Sequence, residues 1–517
     1  MKFNGCKINK AELINNAIIF IFHKNFNSLG LVSKQAYSNT INIVIGFIAG
    51  AINTIIVLPR AFEDSLDDWG LLKLILSFAL ILAPVFGIGV NNIVIREYTG
   101  NQDAGYRRSI LGFTLLIAVV GALLSIVFVY SGGLSLLTNS RDGQIIRANI
   151  VPLLVLSVSL VLSQVFTGFI VAKHKTPVIP FVSDSFLKVS YLILSLYYLF
   201  NPFDFGLFLM IYVSTYVIAL IIYASYSFMI GFDIGFKFKE LNIKELLTYG
   251  IYTVLDRGAA IIVANLDIIM IAYLLKLSNV AIYGLAFFIA ATLMIPQKAL
   301  MAPILPLVSR ALKENSLSEV KKLYMQSSLN QLIIGGALFV LLWSSIDGIY
   351  QLIPGEFSLG KWVVFYIGIS RLLILGTGIS GPIIIYSKYY RINLVFNLFL
   401  VGLTIFSNYI LINKYGMTGA AIATAITFLT YNILKVVYIQ YRFKMQPLTA
   451  ETIKSIIVLL IAGFVGSYIE IFAQFPLISI VVKSIIVAVI LAIGFYGLKV
   501  KAEILDVPKK VLKKNSD

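Results

Sequence analysis

From Tyr37 to Leu498 the chain repeats one pattern, windows of about 20 predominantly apolar residues separated by short polar breaks. A helix rising about 1.5 Å per residue crosses the roughly 30 Å hydrocarbon core in a window of that length. The pattern predicts spans at 37–58, 71–95, 109–131, 149–172, 178–200, 206–230, 248–275, 281–305, 327–349, 362–386, 392–412, 418–440, 454–473 and 477–498. The expected fold is therefore an all-α polytopic membrane protein with about 14 transmembrane helices. Residues 1–36 are basic and hold only the short apolar run Ala17 to Phe22, which is too short to span. They form a cytoplasmic tail or an interfacial helix on an anionic leaflet. Proline at 84, 152, 296, 303 and 306 is expected to interrupt the second, fourth and eighth spans. The Gly416 to Thr424 run of glycine, alanine and other small residues lets the twelfth span approach a neighbour closely.

Composition agrees with this class. Of 517 residues, 59% are hydrophobic and 13% charged, and the mean hydropathy is +0.92. One cysteine, Cys6, excludes an internal disulfide framework and a cysteine-based metal site. His23 and His174 both lie outside the apolar windows, so no metal site or cofactor is expected. The net charge of +17 would point to nucleic acid in a soluble protein, but here its placement decides its meaning. With the N-terminus inside, about 28 lysines and arginines fall on inner segments and about 6 on outer ones. That bias places both termini in the cytoplasm and assigns no nucleic-acid partner.

The chain also repeats itself. Asn42 and Asp256, Asn53 and Asp267, Gly70 and Gly284, Arg96 and Arg310, Arg107 and Lys321, and Arg108 and Lys322 are all separated by the same 214 positions. One ungapped shift thus aligns residues 37–230 with 248–440, an N-lobe and a C-lobe of six spans each, joined by a linker at 231–247. Six is even, so both units enter the membrane from one side and form parallel repeats. Residues 441–498 add two C-terminal helices and 499–517 a basic cytoplasmic tail.

Within the apolar windows, ionisable residues stand out, because charge there is costly and usually functional. The seventh span carries Asp256, Arg257 and Asp267. At about 100° per residue the two aspartates lie roughly 20° apart around the helix, so they share a stripe facing protein or water. The equivalent positions of the first span are Asn42 and Asn53, a stripe that is polar but uncharged. Asp256 and Asp267 are candidate proton or sodium sites for ion coupling; the alternative is pairing with charges on neighbouring helices. Arg371 lies deep in the tenth span with no acid within a turn, so it requires an aspartate across the bundle or an anionic ligand. Arg257, Arg371, Lys188 and Lys298, with Asn42 and Asn53, are the candidate substrate-binding residues, a cationic set suited to phosphate or pyrophosphate. Asp184 and Lys188, four apart, are expected to pair on one helical face. Lys435 and Lys483 are expected to snorkel from span ends. The run Gly355 to Trp362 imitates a phosphate loop but lacks its Ser or Thr and its preceding strand, and is set aside.

Three stretches, Trp69 to Tyr98, Leu266 to Arg310 and Tyr415 to Ile426, resemble the polysaccharide transport, or oligosaccharide flippase, branch of the multidrug/oligosaccharidyl-lipid/polysaccharide exporter superfamily. The resemblance covers residues 37–498 and implies export of an undecaprenyl-pyrophosphate-linked oligosaccharide between two six-helix lobes of the bacterial cytoplasmic membrane, for cell-surface polysaccharide such as O-antigen. It implies a lipid-linked oligosaccharide, membrane lipids and polysaccharide assembly proteins as partners, and no enzymatic step. The related lipid II flippases carry arginines within the first helix, whereas this one has Asn42 and Asn53, with Arg60 only at its outer end. The rival readings are an ion-coupled multidrug antiporter of the same superfamily, against which the two extra spans and basic interior speak, and an integral-membrane glycan polymerase, for which the outer loops are short.

Overall fold

The computed structural model describes residues 31–133, 142–469 and 474–500. Among them every regular element is a helix, and twelve helices are long and apolar enough to cross a membrane. One of the twelve, Arg391–Phe443, has 53 residues and would be about 80 Å long if straight, far beyond a hydrocarbon core of about 30 Å. It bends sharply at Gly416, whose φ of 61° and ψ of −144° lie outside what a side chain tolerates. The two arms run back along each other, with Ser407 Oγ 3.2 Å from Thr427 Oγ1. A Cβ on Gly419 would lie 1.9 Å from the Leu411 carbonyl oxygen, so the close approach expected of the small-residue run is there.

In chain order the spanning units are α1 (31–61), α2 (66–100), α3 (104–133), α4 (Ile150–Ala172), α5 (Val178–Phe200), α6 (Phe205–Met229), α7 (243–274), α8 (277–313), α9 (Leu317–Ser344), α10 (361–386), α11 (391–415), α12 (417–443), α13 (Ala450–Tyr468) and α14 (Pro476–Gly497). These are the fourteen windows of the hydropathy pattern. The apolar run at 17–22 and the tail beyond 500 lie outside the described residues.

Several units are broken, each for a local reason. α2 stops at Phe86, two residues past Pro84, and resumes at Val90 after Ile88 and Gly89 adopt φ of 47° and 65°. The carbonyl of Ala83 at this break, already bonded by Gly87 N at 2.9 Å, accepts a second hydrogen bond of 2.7 Å from Gln164 Nε2, which ties the break to α4. α8 narrows to a 3₁₀ turn at Thr292–Met294 immediately before Pro296, and continues through Pro303 and Pro306. Pro152 interrupts nothing, contrary to expectation. It occupies the first turn of α4, where its missing N–H has no carbonyl to serve. α10 is likewise divided, at Thr377 to Ile379, with Gly378 at φ 51°.

The crossing of α2 and α8 joins the two repeats. Gly70 and Gly284, equivalent in the 214-residue register, both sit at it: a Cβ on Gly70 would meet the Leu277 carbonyl at 1.9 Å, and one on Gly284 would rest 3.6 Å from the Lys73 stem. The N-terminus of α8 is capped from the other repeat, with Asp67 Oδ1 accepting from Ser278 N at 2.6 Å and Asp142 Oδ2 from Leu277 N at 2.7 Å. At the far end of α2, Arg96 bonds Glu245 at 2.7 Å, tying α2 to the start of α7.

Candidate substrate and ion site

Both aspartates of α7 face α11, so the shared stripe inferred from the helical period is realised despite a π-helical turn at Val254–Gly258. Asp256 Oδ1 accepts from Asn393 Nδ2 at 2.9 Å and Asn397 Nδ2 at 3.2 Å, and Asn397 also holds the Asp256 carbonyl at 2.7 Å. Asp267 is only 3% exposed. Its Oδ2 accepts from Tyr283 Oη at 2.5 Å and Thr424 Oγ1 at 2.7 Å, and its Oδ1 from Asn408 Nδ2 at 2.8 Å. All five donors are neutral, and no lysine or arginine nitrogen among the described side chains lies within 4.0 Å of either carboxylate. Among the described side chains, neutral hydrogen bonds rather than contact ion pairs hold both aspartates. A buried carboxylate surrounded by hydroxyl and amide groups is the chemistry of a site that takes up a proton or a small cation.

The N-terminal repeat builds the same frame without charge. Asn42 Oδ1 accepts from Ser185 Oγ of α5 at 2.8 Å, as Asp256 accepts from α11. Asn53, at the Asp267 position, is 1% exposed and its Oδ1 has no partner. Trp69, 214 positions before Tyr283, likewise leaves its buried Nε1 unpartnered. The tyrosine–aspartate bond of one repeat thus corresponds to a tryptophan and an asparagine that do not bond in the other.

The cations behave differently from one another. Arg371 projects from α10 between two rings, 5.0 Å from the Phe287 centroid and 5.7 Å from that of Phe428. Its Nε is buried without a hydrogen-bond partner. It meets neither aspartate at contact distance, and the faces of Phe287 and Phe428 lie against it instead. Lys188 pairs with Asp184 at 2.8 Å, as expected. Lys435 does not snorkel: it is 8% exposed and its Nζ lies 3.9 Å above the Tyr431 ring, whose hydroxyl donates to Asn397 Oδ1 at 2.7 Å. The side chains of Arg257 and Lys298 lie outside the described ones.

Residues 34–312, just over half of the chain, match the family model described as polysaccharide biosynthesis protein. The chain belongs to that family. A probable low-salt glycan biosynthesis flippase of Haloferax volcanii is 24% identical over 229 residues, which are 42% of this chain and 47% of the relative, so the chain spans about half the length of that curated relative. Among solved structures, the lipid II flippase MurJ in an inward closed conformation has a TM-score of 0.68 at 13% identity, over 90% of this chain and 99% of the other. An inward-facing multidrug resistance MATE transporter has 0.61 at 12%, over 78% and 94%. A transporter of the MOP superfamily from Pyrococcus furiosus has 0.54 at 12%, over 80% and 96%. At these identities the likeness is one of fold.

In this polysaccharide biosynthesis protein, then, the structure brings Asp267 of α7 and Arg371 of α10 to one turn of α8 through Tyr283 and Phe287, while Asp256, about three turns away along α7, lies against Asn393 and Asn397 of α11. Asn42 and Lys188 belong to a separate α1–α5 contact. Sequence reasoning missed Tyr283, Asn393, Asn397, Asn408 and Thr424. Tyr283 alone carried a signal, since it pairs with Trp69 at the 214-residue offset. An apolar groove of about 590 Å³ between α9, α10 and α13, lined by Phe339, Trp343, Phe365 and Leu459 among others, lies on the face of α10 away from Arg371. Its lining suits alkyl chains and offers no charge.

Proposed function

We propose that this protein moves a lipid-linked oligosaccharide, carried on undecaprenyl pyrophosphate, from the cytoplasmic to the outer face of the cytoplasmic membrane, for cell-surface polysaccharide biosynthesis. The observation that carries the reading is Arg371, a guanidinium held in the bundle by two aromatic rings and lacking any carboxylate at contact distance. Desolvating a cation with no carboxylate in contact costs several kcal/mol, and a phosphate-bearing ligand supplies a negative charge at contact distance. Family membership and the glycan flippase among its relatives favour a lipid-linked glycan as the source of that phosphate.

In this reading the lobes 37–230 and 248–440 rock about the α2–α8 crossing, and residues 441–498 flank the second lobe. Asp256 and Asp267 are the ion-coupling groups. Arg371 is the guanidinium assigned to the diphosphate, and Arg257 and Lys298 are further candidates on the sequence alone. Lys188 and Asn42, engaged between α1 and α5, shape the wall of the path, while Asn53, buried with its Oδ1 unpartnered, would meet a sugar hydroxyl only once the lobes move. The lysine and arginine bias supports cytoplasmic termini.

A multidrug antiporter is the second reading, favoured by the likeness to the MATE transporter fold; an interior cation repels the cationic drugs such a pump exports. Complementation of a flippase-deficient strain separates the two. Wild type is expected to restore surface glycan, and Arg371→Ala, expressed to the same level, to lose most of that rescue. Failure of a well-expressed wild type in several glycan backgrounds, with drug tolerance restored in an efflux-deficient strain, would overturn the flippase reading.

A further inference from the structure

Arg371 is not the sole interior cation without an acid. Lys73 sits on α2, two turns into the membrane from the capping Asp67. Its stem lies flat across Gly284 of α8, with Cγ, Cδ and Cε 3.6 to 3.8 Å from where a glycine Cβ would be. No carboxylate among the described side chains is within 4.0 Å of its ammonium, and the side chain is only partly buried, so it keeps accessible surface at the seam of the two repeats.

One turn of α8 relates this lysine to the site already described. Tyr283, Gly284 and Phe287 lie within about 100° of arc around the helix. Tyr283 holds Asp267, Gly284 carries Lys73, and Phe287 carries Arg371. Two cations, one from each repeat, therefore converge on a single helical turn. The one acid there, Asp267, already accepts three hydrogen bonds from neutral donors. Neither cation has a carboxylate in contact among the described side chains, and a ligand bearing two or more negative charges would supply a counter-charge to each.

We propose that Lys73 and Arg371 together form the diphosphate-binding pair, Lys73 being the contribution of the N-terminal repeat. The assignment rests on the flippase reading and specifies its head-group contact. Because the pair straddles the seam, a bound diphosphate draws α2 and α10 onto α8, and its departure releases them. The anion then governs whether the two repeats close.

The test uses the full chain in lipid nanodiscs and compares undecaprenyl pyrophosphate with uncharged undecaprenol as probes, by native mass spectrometry. Wild type is expected to bind the diphosphate at least about tenfold more tightly than the alcohol, a gap of about 1.4 kcal/mol. Lys73→Met, which keeps the apolar stem, and Arg371→Met should each lose most of that preference while holding undecaprenol as wild type does; Lys73→Arg should keep it. Undiminished preference in Lys73→Met overturns the pair. No preference in a wild type that still complements a flippase-deficient strain also overturns it while leaving transport standing. Preference in a wild type that fails to complement supports the anion pair and refutes the transport reading.

Discussion

At the scale of single residues, the decisive feature is that the carboxylate of Asp267 is satisfied without a cation. Three neutral donors hold it, so loss of a proton or a small cation leaves the side chain solvated by protein rather than stranded. Each donor contributes modestly, about 1 kcal/mol in a membrane interior. Thr424→Val is accordingly expected to lower thermal stability slightly while shifting the ion concentration for half-maximal transport, measured in proteoliposomes. Asp267→Asn should keep the fold, because the hydroxyls of Tyr283 and Thr424 can turn to accept from an amide, yet remove the dependence of transport on the ion gradient. Unchanged ion dependence in Asp267→Asn would remove this residue from coupling. The chain made Asp267 visible, since a lone acid in an apolar window is conspicuous. Its partners were invisible: Asn408 and Thr424 lie 141 and 157 positions away, and neutral polar side chains in a spanning helix read equally well as packing. Lys73 was missed for another reason, its nearness to the outer end of a window, where a lysine passes as an interfacial anchor.

At the scale of elements, breaks rather than helices carry the information. The turn at Gly416 converts one hydropathic stretch into two antiparallel spans, and the break in α2 after Pro84 is pinned to α4 by a second hydrogen bond on the Ala83 carbonyl. The contrast between the two crossing glycines is testable. Gly70→Ala places a methyl against fixed backbone at 1.9 Å, whereas Gly284→Ala touches only the movable stem of Lys73 at 3.6 Å. The first should cost about 1–3 kcal/mol, an overpacking penalty, and the second little, as read by melting temperature in detergent. Equal effects would show that the helices do not meet as described. The repeat was legible at both positions, but their inequality was not, because it depends on which atoms of the partner helix stand opposite.

For the whole molecule, the contacts at the outer end of α8 are those a rocking mechanism must break. Asp67 and Ser278 meet there across the seam at 2.6 Å. The chain has one cysteine, Cys6, so Asp67→Cys with Ser278→Cys in a Cys6→Ser background offers a clean cross-link. Oxidation should abolish transport and reduction restore it; full activity in the oxidised state would mean that this face need not open. The number of apolar windows, the internal duplication and the cost of every interior charge follow from the chain alone, because bilayer thickness and dielectric act on each segment wherever its neighbours lie. Which charges are paired, which are cradled by neutral donors and which stand open at the seam was decided only in three dimensions. Apart from the Asp184–Lys188 pair, legible at its four-residue spacing, those outcomes depend on contacts between different helices, and a hydropathy pattern, being local, carries no record of them.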